Sequence, residues 1–421
     1  MFRRADMFTK FYLENGIPLV IERIDSVRSV ALGIWVKVGS RYEPAEKNGI
    51  SHFLEHMFFK GTGRRSARDI AIDIDSVGGD LNAFTSRETT TFYVKVLDEH
   101  LDRGIDLLTD IFLHSTFPEG DMEKEKSIVK EEIKMVEDTP DDYIHDLFSQ
   151  SVWGPEGIGQ PVLGKRETIK SFTFEDLSSY VKKYYGTRDT VVACAGNVDP
   201  ERLLKELNHA LGGMRRGSEP KPVRVAVFNP STSVHRKDLS EAHVCMGIVG
   251  LPQGSPERYS LYLLNAVLGA GVSSRLFQKV REERGLAYSI YSFIASYVDT
   301  GLWCVYAGMG RKKVAEVVEI VAGELKGLKD TISADELRRA KDQLKGNLIL
   351  GLESTNSRMQ SIARQEIYHE RYFSPEELMR EIDAVSLREV KDISARLVGD
   401  GSIALTVLGP VKDLNIANGI L

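Results

Sequence analysis

An internal repeat constrains this chain more than any other feature of its sequence. Residues 89–96, Thr-Thr-Thr-Phe-Tyr-Val-Lys-Val, read as a β-rich strand with a helix after it. Residues 301–308 and the helix that follows replay that pair about 210 residues later. Upstream, the strand-like runs 18–23 and 29–38 and a helical stretch over 48–60, with Asn48 as its N-cap, have counterparts in the strand-like 242–249 and the helical 257–268. Order and spacing both recur, so a duplication is expected. The fold class is α+β, in two homologous domains, each a mixed, largely antiparallel sheet packed against helices. The seam is Gly212–Pro222, rich in Gly, Pro and charge. It sets the expected boundaries at 1–214, a linker over 215–224, and 225–421.

The 421 residues, 42% hydrophobic and 28% charged, suit a soluble globular protein of two or three domains. A net charge of −6 argues against a nucleic-acid partner and against docking on an acidic membrane surface. The N-terminal residues lack the apolar run of a secretory signal, and no stretch is long and apolar enough to span a membrane. Cys194, Cys245 and Cys304 lie in apolar, strand-like runs, the setting of buried free thiols. A cytoplasmic location follows as the expectation.

The chemistry concentrates in Gly49-Ile-Ser-His-Phe-Leu-Glu-His-Met57. On a helix His52 and His56 stand one turn apart and project from one face, so both reach a single ion. Glu55 flanks that face, and Phe53, Leu54 and Met57 turn toward the core. Two imidazoles on zinc need a third protein ligand and leave a position for water. A carboxylate among apolar neighbours also calls for a cation. The segment 123–132 offers Glu125 and Glu132, two turns apart on one helical face with Ile128 between them. One could hold the metal and the other support the site.

His-x-x-Glu-His is the inverted zinc motif, and the run 49–62 resembles the insulinase-like, or pitrilysin, family of inverzincin metallopeptidases. The likeness is nearest to the β subunit of mitochondrial processing peptidase and its single-chain bacterial relatives, and it covers nearly the whole chain. It implies a zinc-dependent endopeptidase or oligopeptidase with one zinc per chain. His52, His56 and Glu132 would be the metal ligands, Glu125 their support, and Glu55 the general base. It further implies that the strand with Asn82, Ala83 and Phe84 receives the peptide by strand addition. Arg281 and Tyr288, seven residues apart, would hold a substrate carbonyl and the developing oxyanion. The second half has no histidine at 262–266, opposite His52–His56, and Gly346 and Asn347 lie opposite Glu132. The family's longer members place four such domains around a chamber, so a dimer is expected here, a homodimer with a heterodimer as the alternative. The rival reading is a non-catalytic peptide-binding or core subunit of a processing-peptidase-like complex. The small-residue turn 269–275 lacks the Gly-Lys-Ser/Thr of a phosphate loop.

Overall fold

The structure, a computed structural model, describes residues 7–218, 225–399 and 401–411. Its strands are β1 (Met7–Tyr12), β2 (Pro18–Arg23), β3 (Ser29–Val36), β4 (Asp80–Thr85), β5 (Thr90–Leu97), β6 (Thr190–Gly196), β7 (Thr232–Arg236), β8 (Ala242–Gly250), β9 (Ala287–Ser296), β10 (Gly301–Met309) and β11 (Ala404–Gly409). The helices of the first half are α1 (Ile50–Phe58), α2 (Ala67–Ser76), α3 (Leu101–His114), α4 (Glu119–Asp138), α5 (Pro140–Trp153), α6 (Arg166–Ser171), α7 (Phe174–Tyr184) and α8 (Pro200–Leu211). Those of the second are α9 (Arg258–Leu268), α10 (Val314–Thr331), α11 (Ala334–Gly351), α12 (Thr355–His369), α13 (Pro375–Ala384) and α14 (Leu387–Leu397).

Two sheets form. The first runs β1-β2-β6-β3-β5-β4 and the second β7-β11-β8-β10-β9. In the first, β2 and β6 are parallel and the other pairs antiparallel. In the second, β7 and β11 are parallel and the rest antiparallel. Superposing the two orders matches β2 with β7, β6 with β11, β3 with β8, β5 with β10 and β4 with β9, and every pairing keeps its sense. The chain is thus two homologous α+β domains, each a mixed, largely antiparallel sheet packed with helices.

Each sheet is buried on both faces, which is why its central strands are continuous apolar runs. In β3, Val30, Leu32, Ile34 and Val36 enter a core with α1, α3, α7 and α8 residues such as Phe53, Leu107, Leu177 and Leu207. Ala31 and Trp35 point the other way, against Met359, Ile362 and Ala363 of α12. A Cβ on Gly33 would lie 2.5 Å from the Trp35 ring and 3.2 Å from the Met359 sulfur, so the indole needs a glycine beneath it. In the second sheet Trp303, Val305 and Ala307 face one core, while Leu302, Cys304 and Tyr306 meet Ile144 and Phe148 of α5.

The compact units therefore cross the seam. One gathers residues 7–134, 160–218 and 351–372, the other 135–159, 225–350, 373–399 and 401–411, so each half lends the other unit a helix. The boundary at 214 and 225 does not follow the packing. The linker is also less free than its composition suggests: Thr187 and Arg188 N–H groups donate to the Arg215 and Arg216 carbonyls, and Ser218 N–H to that of Lys183. Residues 219–224 lie outside the described residues. All three cysteines are free and buried. Among the described residues no helix is long and apolar enough to cross a membrane.

Candidate metal centre

The helix that carries His52 and His56 starts in an unusual way. Its N-cap is Gly49, with φ of 94°, and a Cβ there would lie 2.7 Å from the Gly164 Cα, so only glycine fits. The cap contributes no side chain. Instead Glu43 reaches over the first turn: its carboxylate accepts from the N–H groups of Gly49 (2.7 Å) and Ser51 (2.8 Å) and from Asn48 Nδ2 (2.9 Å). Asn48, expected as the N-cap, instead donates to Glu43 and to the Pro161 carbonyl, and the helix ends at Phe58, short of Lys60. Burial pushes the Glu43 carboxyl up to about 7, against the pull of the N–H groups it accepts from.

Phe53, Leu54 and Met57 are fully buried and fix the rotation of α1. The opposite side presents His52 and His56, with ring centres 4.7 Å apart. Glu132 arrives on α4, whose apolar stripe is Met122, Val129 and Ile133. Ile128, between Glu125 and Glu132, is 47% exposed, and the buried side runs through Val129 and Ile133. The Glu132 Oε2 lies 3.7 Å from His52 Nε2 and 3.5 Å from His56 Nε2. Among the described residues these three form the one cluster with ligand atoms all within 4.8 Å of one another.

The cluster fits zinc. Glu132 Oε2 is buried with no hydrogen-bond partner, although it faces two imidazole nitrogens. Ligand atoms at about 2.0–2.2 Å from a tetrahedral zinc stand about 3.4 Å apart, close to these spacings. Burial, helped by the neighbouring His56, lowers His52 to about 3, so its ring is neutral and can donate a lone pair.

Two further carboxylates complete the centre. Glu125, buried, places Oε2 3.1 Å from His56 Nδ1 and Oε1 2.7 Å from Lys60 Nζ. Glu55 accepts a 2.5 Å hydrogen bond from the Thr85 hydroxyl, and desolvation raises its carboxyl although that bond and the neighbouring His56 pull it down. Thr85 ends β4, an edge of its sheet that carries Asn82, Ala83 and Phe84. Asn82 spends its side-chain oxygen on the Ala83 N–H (2.8 Å). Glu43 and Thr85 carry no periodic signal in the sequence, whereas Lys60, the expected end of the helix over 48–60, stands four residues beyond His56.

In the other unit, Arg281 lies in the π-helical turn Phe277–Glu282, its guanidinium 5.4 Å from the ring centre of Tyr288, which is 79% exposed. In the small-residue turn, Arg275 is held by Glu336 (2.7 Å) and Glu324 (3.3 Å), carboxylates that would repel a phosphate. Helix α9 buries Leu263 and Leu264 and bears no histidine.

The profile of insulinase, peptidase family M16, matches residues 19–166, and that of the peptidase M16 inactive domain matches residues 171–344. The uncharacterized zinc protease YmxG of Bacillus subtilis is 42% identical over 96% of this chain and 98% of its own length. Among solved structures, a protease from Helicobacter pylori superposes with a TM-score of 0.87 at 20% identity, over 96% of this chain and 100% of that one. A chain of complex III2 from Candida albicans does so with a TM-score of 0.84 at 23% identity, over 97% of this chain and 98% of that one. At those identities the likeness speaks for the fold. Fold, cluster and relatives together give the chain a zinc-dependent peptidase fold with a candidate catalytic site. More narrowly, the chain belongs to the insulinase family, peptidase family M16.

Proposed function

We propose that the chain is a zinc-dependent endopeptidase or oligopeptidase that hydrolyses short or unfolded peptides. In this reading its design resembles that of the β subunit of mitochondrial processing peptidase and its single-chain bacterial relatives. The observation that carries the reading is the buried Glu132 Oε2, turned toward two imidazole nitrogens yet unbonded. His52, His56 and Glu132 would hold one zinc per chain, which when bound would supply the Lewis acidity that makes water a nucleophile near neutral pH. Glu55 takes a proton from the attacking water and passes it to the leaving amine nitrogen. Glu125 orients His56. The open edge of β4, at Asn82, Ala83 and Phe84, pairs with an extended peptide backbone, which asks little of its sequence. Arg281 holds a substrate carbonyl and Tyr288 donates to the oxyanion. Two chains, as a homodimer, complete a chamber in the cytoplasm.

The direct test is Glu55→Gln. Metal analysis should still find one zinc per chain, while cleavage of a quenched-peptide pool falls by about 10²–10⁴-fold. His52→Ala should lose the zinc itself. Undiminished turnover in zinc-loaded Glu55→Gln would remove Glu55 from the base role. A wild-type chain that holds zinc and cleaves no peptide would be a core subunit instead.

A further inference from the structure

Glu125 is shared between two donors. Its side chain is 5% exposed, with Oε2 at 3.1 Å from His56 Nδ1 and Oε1 at 2.7 Å from Lys60 Nζ. Lys60 lies just past α1, its N–H bonded to the Met57 carbonyl (3.1 Å), so its backbone is fixed to the helix that bears His56. From these contacts we infer that Lys60 is a positioning residue for the metal centre, acting on His56 through Glu125. The inference rests on the reading of His52, His56 and Glu132 as a zinc site.

The argument is one of charge and direction. A buried carboxylate with a single neutral N–H donor is poorly compensated, and the ammonium supplies the missing charge. It also sets the direction. With Oε1 pinned by Lys60, Oε2 is left facing Nδ1, and an ionised carboxylate can only accept, so Nδ1 must carry the hydrogen. The proton-free Nε2 then points at Glu132 Oε2, 3.5 Å away, with its lone pair available to a metal. Without the ammonium the carboxylate loses one of its two anchors, and His56 loses its fixed tautomer and ring orientation. Cations near the end of a helix also act generally on its dipole. That role would affect folding rather than metal affinity.

The test measures zinc affinity by competition with a chromophoric chelator, alongside thermal unfolding of the zinc-free protein. Lys60→Met should weaken zinc binding by about 10–100-fold, the usual scale for a lost outer contact. The zinc-free unfolding midpoint should hold, and Lys60→Arg should recover most of the affinity. Combined with Glu125→Gln, Lys60→Met should add nothing, because both act through one carboxylate. If Lys60→Met binds zinc as tightly as the parent, the assignment fails while the zinc site stands. If the midpoint collapses and Lys60→Arg does not restore affinity, the lysine is merely structural and the assignment also fails. A parent chain that binds no zinc would overturn the site and this inference together.

Discussion

Thr85 and Glu55 come from different elements, yet a 2.5 Å hydrogen bond joins them. The hydroxyl holds one oxygen of the carboxylate assigned as the base, and a base works only within reach of the proton it takes. Thr85→Val keeps the shape and removes the donor. Since a bond to a charged group contributes about 1.5–3 kcal/mol, kcat should fall about 10–100-fold with KM and zinc content little changed. Thr85→Ser should restore it. If kcat for the valine variant matches the parent, Glu55 needs no such grip. At this scale the sequence spoke where one helix held the residues together. The spacing of His52, Glu55 and His56 encodes a shared face, as does that of Glu125 and Glu132, but only family likeness said which of those two would meet the metal. Thr85 and Glu43 stayed silent because each meets the centre through space, with no periodicity to mark it.

The element that matters most is α1, and its entry was misread for a physical reason. Asn48 has the chemistry of a cap, but the chain turns through the left-handed Gly49 and leaves the helical N–H groups to Glu43, a residue outside any helical pattern. The consequence is pH-dependent. An unfolded glutamate ionises near 4.5 and the folded Glu43 near 7. Between those values the native state holds the extra proton, so its contribution is full below 4.5 and is lost as pH rises toward 7. The urea unfolding free energy of the metal-free protein should decline by about 3 kcal/mol across that window, and Glu43→Gln should flatten the decline. An equal slope in both proteins would assign it to other groups. The central strands were easier to read, since sheets covered on both faces demand unbroken apolar runs.

For the molecule as a whole, repetition in the sequence foretold two related α+β domains but not how they are closed. Helix α12 buries Met359, Ile362 and Ala363 against the first sheet, and α5 buries Ile144 and Phe148 against the second. Amphipathic spacing announces that such a helix has an apolar side, and says nothing about which sheet receives it. Chains cut to 1–214 and 225–421 should each lack cooperative urea unfolding when made alone, and should co-purify when made together. A first half with its own sharp transition and native near-ultraviolet dichroism would contradict this.

The lent helix also has a cost in time. The last strand of the first sheet ends at Gly196 and the helix that covers its far face ends at His369. A ribosome adding 5–20 residues per second needs on the order of 10–30 s to make the intervening stretch. For that interval Trp35 and its apolar neighbours face solvent or a chaperone, so the nascent chain is most vulnerable to aggregation when the half that carries the candidate metal centre has already been translated.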